Sequence, residues 1–129
     1  MGSTEIVAAE PQLFVTDLER ALAFYVDKLG FEVTFTYGEP AFYGQVRRGG
    51  ASLNLRKVAG PVYDGNFLAT ERDPLAATLT TYKLGPLHDE YRAAGVDFHR
   101  PLQDEEWGSV TFIVRDPDGN LILFSGAEA

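Results

Sequence analysis

The chain has 129 residues, of which 45% are hydrophobic and 23% charged, and this fits one globular domain or two small modules that share a core. It contains no cysteine, which excludes disulfides, thiolate catalysis and zinc–sulfur sites. The formal net charge of −8 disfavours nucleic acid and favours cationic small molecules as partners. No apolar run is long enough to span a membrane, and residues 1–6 lack the basic start of a signal peptide. We therefore expect a cytoplasmic protein without a membrane partner.

The first half of the chain predicts a strand, a helix and three further strands. Residues 10–15 form the first strand, and the helix then opens with the capping box Thr16-Asp17-Leu18-Glu19, with Thr16 at the cap. Apolar residues follow at helical spacing, and Gly30 ends the helix. The apolar period then changes to two, which predicts strands at residues 31–37, 41–48 and 51–58.

The second half predicts the same order of elements. Residues 59–74 are rich in glycine and proline without a regular period, and they predict a connecting loop that covers a neighbouring surface. After a strand at 75–81, Pro86 opens a second helix and Gly95 closes it. Three more strands are predicted at residues 96–99, 109–115 and 120–124, with the last two joined by a turn at 116–119 whose turn chemistry explains its sequence. The repeat predicts modules at residues 8–58 and 75–126 within one domain spanning residues 1–129.

Two motifs resemble those of a known superfamily. The stretch from Leu13 to Tyr25, followed by Leu29-Gly30-Phe31, and the closing Trp107-Gly108 with the stretch from Arg115 to Leu121 resemble the signatures of the vicinal oxygen chelate superfamily. This superfamily contains glyoxalases, bleomycin resistance proteins and extradiol dioxygenases. The resemblance covers nearly the whole chain. It implies an α+β fold of two tandem βαβββ modules that form a curved mixed sheet around a cleft, with helices on the outer face, usually within a homodimer.

The superfamily's enzymes hold a divalent metal with one His or Glu from each of four strands. The matching residues here are Glu10, Asn54, Ala76 (or its neighbour Leu75) and Leu123. Only Glu10 carries an adequate ligand, whereas a catalytic site needs about three. Neither His88 nor His99 has an acidic or histidine partner at ligand spacing, and both are interpreted as surface residues. We therefore predict a protein without a metal or another cofactor.

The closer resemblance is to the bleomycin resistance proteins. In those proteins the Trp-Gly pair and the aromatic residues of the second and third strands line a groove between subunits, where flat rings of the drug stack. Phe35, Tyr43 and Trp107 occupy these positions here. Gly108 completes the Trp-Gly pair that the resemblance implies. Strand alternation and loop aromatics extend the predicted ligand-binding set to Ser52, Asn54, Tyr63 and Leu123. The acidic residues 104–106 beside Trp107 favour a cationic ligand.

These features predict a dimer that sequesters a planar, cationic antibiotic of the bleomycin kind without catalysis. One alternative is a lyase, isomerase or dioxygenase of the same superfamily, either with a metal or metal-free, that uses Glu10 as ligand or base. Another alternative is a binding module for a different natural product or metabolite. No nucleophile–base pair is visible in the sequence.

Overall fold

The structure is a computed structural model that describes residues 3–127, so that Met1, Gly2, Glu128 and Ala129 of the predicted domain lie outside the described residues. The first half contains β1 (Gln12–Val15), α1 (Leu18–Ala23), a π-helical turn (Phe24–Lys28), β2 (Glu32–Gly38), β3 (Ala41–Arg48) and β4 (Ala51–Lys57). The second half contains α2 (Gly65–Thr70), β5 (Leu75–Thr80), α3 (Leu84–Ala93), β6 (Phe98–Asp104), β7 (Val110–Arg115) and β8 (Leu121–Gly126).

Each half builds a four-stranded mixed sheet. The strand orders are β1-β4-β3-β2 and β5-β8-β7-β6. In both sheets the first pair is parallel, and the other pairs are antiparallel. This topology confirms the predicted α+β fold of two tandem modules. None of the helices in the described part of the chain combines the length and the apolar character that a membrane crossing requires.

The helix-covered faces of the two sheets share one hydrophobic core. Strand alternation explains its composition, because Leu13 and Val15 of β1 and Leu53 and Leu55 of β4 are buried, while the residues between them are not. Large aromatic side chains join the halves: the Tyr91 hydroxyl of α3 donates to the Leu29 backbone oxygen at 2.8 Å. Arg48 and Glu90 add a bidentate ion pair across the same junction.

The predicted helix ends are confirmed, whereas one predicted cap is wrong. Gly30 and Gly95 follow the helices with φ of +76° and +73°, the left-handed conformation that glycine adopts without strain. Asp17, and not Thr16, caps α1, because its side chain accepts from the Arg20 backbone N–H. The Thr16 hydroxyl instead donates to Asp118 at 2.6 Å in the other half of the chain.

The connection between the modules is more ordered than the sequence indicates. The predicted loop at 59–74 contains the six-residue helix α2, which is capped by the Asp64 side chain. None of its residues is buried, so it shows no apolar period in the sequence. The second predicted helix begins two residues early, at Leu84, with Pro86 still within the first turn, where the missing N–H costs nothing. The short strand predicted at 96–99 runs instead to Asp104.

Candidate ligand-binding site

Among residues 3–127, no helix covers one face of the first sheet. Register pairs Gln12 with Asn54, Asn54 with Gln45, and Gln45 with Phe35. Paired residues project from the same side of a sheet, so these four side chains form one row. The neighbouring row contains Phe14, Arg56, Tyr43 and Tyr37. We call this surface the aromatic face and define it by Gln12, Phe14, Phe35, Tyr37, Tyr43, Gln45, Asn54 and Arg56.

A stacked aromatic pair lies on β2 and β3, at one side of this face. The rings of Phe35 and Tyr43 are 6.1 Å apart between centroids, with an interplanar angle of 29°. The Tyr43 hydroxyl donates to the Gln12 Oε1 at 2.7 Å, which fixes the tyrosine ring. The Phe35 side chain remains 44% exposed. A rigid and exposed aromatic surface can stack against a flat ring of a ligand.

Polar side chains form a hydrogen-bonded chain beside the rings. The Thr34 hydroxyl donates to the Gln45 Oε1 at 2.7 Å, and the Gln45 Nε2 donates to the Asn54 Oδ1 at 2.9 Å. Each carboxamide is therefore held in one orientation. Gln45 was missed among the predicted site residues, although its alternation with Tyr43 along the third strand is a signal for it.

The remaining predicted residues belong to other parts of the chain. Leu123 lies on the face of the second sheet that is opposite the core, paired with Thr78 and Ile113. Trp107 is 74% exposed and lies, with Gly108, in the turn between β6 and β7, not at the start of a strand. Ser52 lines a cavity of about 780 Å³ at the junction of the modules. The Tyr63 hydroxyl donates to Asn120 at 2.9 Å. One chain thus brings Phe35, Tyr43 and Asn54 together and leaves the other five apart.

The acidic turn beside Trp107 is partly neutralised within the chain. Glu105 accepts from the Gln103 side chain at 2.8 Å and lies 3.5 Å from the Arg100 guanidinium. Asp104 and Glu106 stay exposed. The acidic character predicted for this turn therefore comes from two carboxylates instead of three.

The residues at the metal positions do not fit a divalent ion. Glu10 is exposed in the segment before β1, and the Asn54 carboxamide oxygen accepts from Gln45. Ala76 and Leu123 offer no lone pair. Between residues 3 and 127, no three or more His, Asp or Glu side chains come close enough to hold a metal ion. This donor set is unlike the three or more ligands of catalytic metal sites.

Both histidines are half-buried, so their interpretation as surface residues was wrong. His99 Nε2 lies 2.8 Å from Asp73 Oδ1, and its Nδ1 contacts the Arg115 guanidinium. Asp73 lies 26 residues before His99 in the sequence. This separation is much longer than the short spacings by which the sequence was searched for an acidic partner. The His88 ring packs against Phe98 and Phe112 at 4.9 and 5.3 Å between centroids.

The turn at 116–119 does more than reverse the chain. Asp116 is buried and accepts from the Tyr25 hydroxyl at 2.8 Å and from Asn120 Nδ2 at 2.9 Å. Burial raises the pKa of Asp116 above its ordinary value, against the effect of these hydrogen bonds. Burial, assisted by the nearby Asp116 charge, also raises the pKa of Tyr25. Because Tyr25 belongs to the first module, this bond ties the two halves together.

Solved structures with this fold include a bleomycin-binding protein. A bleomycin-binding protein from bleomycin-producing Streptomyces verticillus, solved in complex with copper(II)-bleomycin, is 26% identical, with a TM-score of 0.75 over 96% of this chain and 98% of that chain. A bleomycin resistance determinant encoded on transposon Tn5 is 20% identical, with a TM-score of 0.71 over 94% and 98% of the two chains. TioX from Micromonospora sp. ML1 is 22% identical, with a TM-score of 0.74 over 94% and 98%. At these last two identities the likeness concerns the fold alone.

No curated protein matches the chain significantly. A family model, however, matches residues 6–124, which is nearly the whole chain. The protein therefore belongs to the Glyoxalase/Bleomycin resistance protein/Dioxygenase superfamily.

Proposed function

We propose that the protein binds and sequesters a planar, cationic organic molecule of the bleomycin kind in the cytoplasm, without chemical turnover. The observation that carries this proposal is the exposed, stacked pair of Phe35 and Tyr43 on a sheet face that no helix covers. A protein 26% identical over nearly the same length was solved with copper(II)-bleomycin, which supports a ligand of this class.

The chemistry of the aromatic face suits a flat ligand. Each stacked ring contributes about 0.5–1.5 kcal/mol beyond the burial of apolar area. Gln45 and Asn54, held by their mutual hydrogen bond, offer their remaining polar atoms to heteroatoms at the ring edge. Arg56 lies in the same row as Tyr43, so a cationic group on the ligand is expected to point away from this end of the face.

The cationic part of the ligand needs a carboxylate nearby, and none of the eight residues that define the aromatic face is acidic. Asp104 and Glu106 beside Trp107 supply exposed carboxylates, but they belong to the second sheet. We therefore include a homodimer in the proposal, with the Trp107 turn of one protomer against the aromatic face of its partner. Binding alone protects the cell, because the bound ligand is removed from the free pool by mass action.

Titration of copper(II)-bleomycin and metal-free bleomycin by isothermal calorimetry tests this function. Phe35→Ala is expected to weaken binding about tenfold, equivalent to about 1.4 kcal/mol, and Trp107→Ala by tenfold or more. Phe67→Ala is the matched control, because Phe67 is 46% exposed, close to the 44% of Phe35, and belongs to α2, which contributes no residue to the aromatic face. Because all three side chains are exposed, the melting temperature is expected to stay within about 2 °C of the wild type.

Two results would contradict the proposal. Unchanged affinity in both Phe35→Ala and Trp107→Ala would remove the aromatic face and the turn from the site. Absence of heat with any planar cationic antibiotic in a panel would exclude the ligand class. Sedimentation velocity with and without drug tests the dimer separately, since the proposed groove needs two protomers.

A further inference from the structure

A second cavity lies apart from the aromatic face. It has a volume of about 490 Å³ and lies between the 61–74 connection and the 116–119 turn, within the size range of small-molecule sites. The connection is held over it by the Tyr63–Asn120 bond of 2.9 Å and the His99–Asp73 bond of 2.8 Å. None of Phe35, Tyr43 or Asn54 lines it, so it is independent of the proposed drug site.

A buried carboxylate belongs to the lining of this cavity. The Asp118 side chain is only 5% exposed, and its Oδ1 accepts from the Thr16 backbone N–H and hydroxyl at 3.1 and 2.6 Å. Its Oδ2 is buried without a hydrogen-bond partner in the described part of the chain. The nearest cation is Arg20, 3.8 Å from Oδ1. A buried carboxylate oxygen without a donor is costly, and a ligand N–H removes that cost.

The cavity also carries positive charge and apolar walls. Arg72 and Arg115 line it together with His99, and the acidic residue Glu71 lies next to Arg72 in the same lining. Arg115 contacts His99 Nδ1 and lies 3.4 Å from Asp97 through Nη1, and these contacts leave guanidinium N–H groups free for an anion. The cavity is also lined by apolar residues: Pro61, Val62, Leu68, Pro74 and Leu121.

We infer that this cavity binds a small zwitterion with an apolar side chain, namely an amino acid or a dipeptide. The ammonium group pairs with the Asp118 carboxylate, which turns its buried Oδ2 toward the cavity to accept from it, and the ligand carboxylate accepts from Arg72 and Arg115. Charged hydrogen bonds at both ends are the stronger class of hydrogen bond, and the apolar walls contact the side chain. The 116–119 turn was explained by turn chemistry alone, and this assignment gives its second aspartate a further role.

The test is NMR titration of the full chain with three probes: L-phenylalanine, phenethylamine, which lacks the carboxylate, and N-acetyl-L-phenylalanine, which lacks the ammonium. We expect phenylalanine to shift the amide signals of Tyr63, His99 and Leu121, and each analogue to bind roughly tenfold more weakly or worse. Absence of these shifts at millimolar phenylalanine would overturn the inference. Equal affinity for the three probes would also overturn it, because neither charge is then recognised.

Paired variants locate the two charged ends. Asp118→Asn keeps an acceptor for Thr16 and removes the charge, with Asp89→Asn on the exposed side of α3 as its control. Arg72→Gln, with Arg92→Gln as its control, tests the other end without touching the Thr16 bond. Both test variants are expected to weaken phenylalanine binding roughly tenfold, while the controls bind as the wild type does. If Arg72→Gln and Asp118→Asn both fold and bind phenylalanine normally, the assignment is wrong.

Discussion

The hydrogen bond between Tyr25 and Asp116 offers a sharp test of how the two modules hold together. Tyr25 is fully buried, and its hydroxyl donates to Asp116 Oδ2 at 2.8 Å across 91 residues of sequence. Tyr25→Phe removes this one donor and keeps the ring packed. Asp116 retains the Asn120 Nδ2 bond and two backbone N–H bonds, so its carboxylate is weakened but not left without donors.

The expected loss in the free energy of unfolding is about 2 kcal/mol, since hydrogen bonds to charged groups contribute about 1.5–3 kcal/mol. For a chain of this length each kcal/mol lowers the melting temperature by about 3–4 °C, so a drop of about 6–8 °C is expected. Urea denaturation measures the free energy, and an unchanged slope shows that the same surface is exposed on unfolding. Tyr82→Phe is the matched control, because Tyr82 is 96% exposed.

The pH dependence of the stability lost in Tyr25→Phe tests whether the loss comes from the bond to the ionised Asp116 carboxylate. The folded-state pKa of Asp116 is raised above 3.8, so ionising this carboxyl group lowers the free energy of unfolding. The stability that the protonated Asp116 contributes is fully present below pH 3.8 and is lost as pH rises through the folded-state pKa. Tyr25 donates most strongly to the ionised carboxylate. The difference between wild type and Tyr25→Phe is therefore expected to be largest near neutral pH and to shrink as pH falls through that pKa. A loss below about 0.5 kcal/mol, or one that does not depend on pH, would refute this reasoning.

Two further predictions concern the junction and the helix ends. Glu90→Gln is expected to lower the free energy of unfolding by less than about 1 kcal/mol, because its ion pair with Arg48 is well exposed; a loss above about 2 kcal/mol in urea denaturation would contradict this. Gly95→Ala is expected to cost about 1–2 kcal/mol from its positive φ alone, since only Lys28 Nζ lies near the new Cβ, at 3.5 Å. Gly30→Ala is expected to cost more, because its Cβ falls 2.5 Å from Arg48 Nη1; equal losses measured for the two glycine variants would show that this contact is unimportant.

The order of elements was predictable because it rests on local signals. Helical spacing before Gly30, period two after it and the left-handed glycine stops depend on neighbours a few residues apart. The alternation in β4 likewise placed Asn54 on the face opposite Leu53 and Leu55, whereas Tyr43 was assigned to the site from the resemblance to the bleomycin resistance proteins. Thr16 and Asp17 are both suitable caps for α1, and the sequence does not show which of them is used. The structure assigns the cap to Asp17, because Thr16 is bonded to Asp118, 102 residues away.

The superfamily, the absence of thiol chemistry and the poor donor set at the metal positions were determined by residue identity alone. Which side chains meet was decided only by the tertiary structure. The contact of His99 with Asp73, the burial of Asp116 beside Tyr25 and the enclosure of Asp118 next to a cavity all join residues that no periodicity relates. The physical reason is that periodicity reports which face of an element is buried, whereas hydrogen bonds, desolvation and cavities depend on how separate elements are packed together.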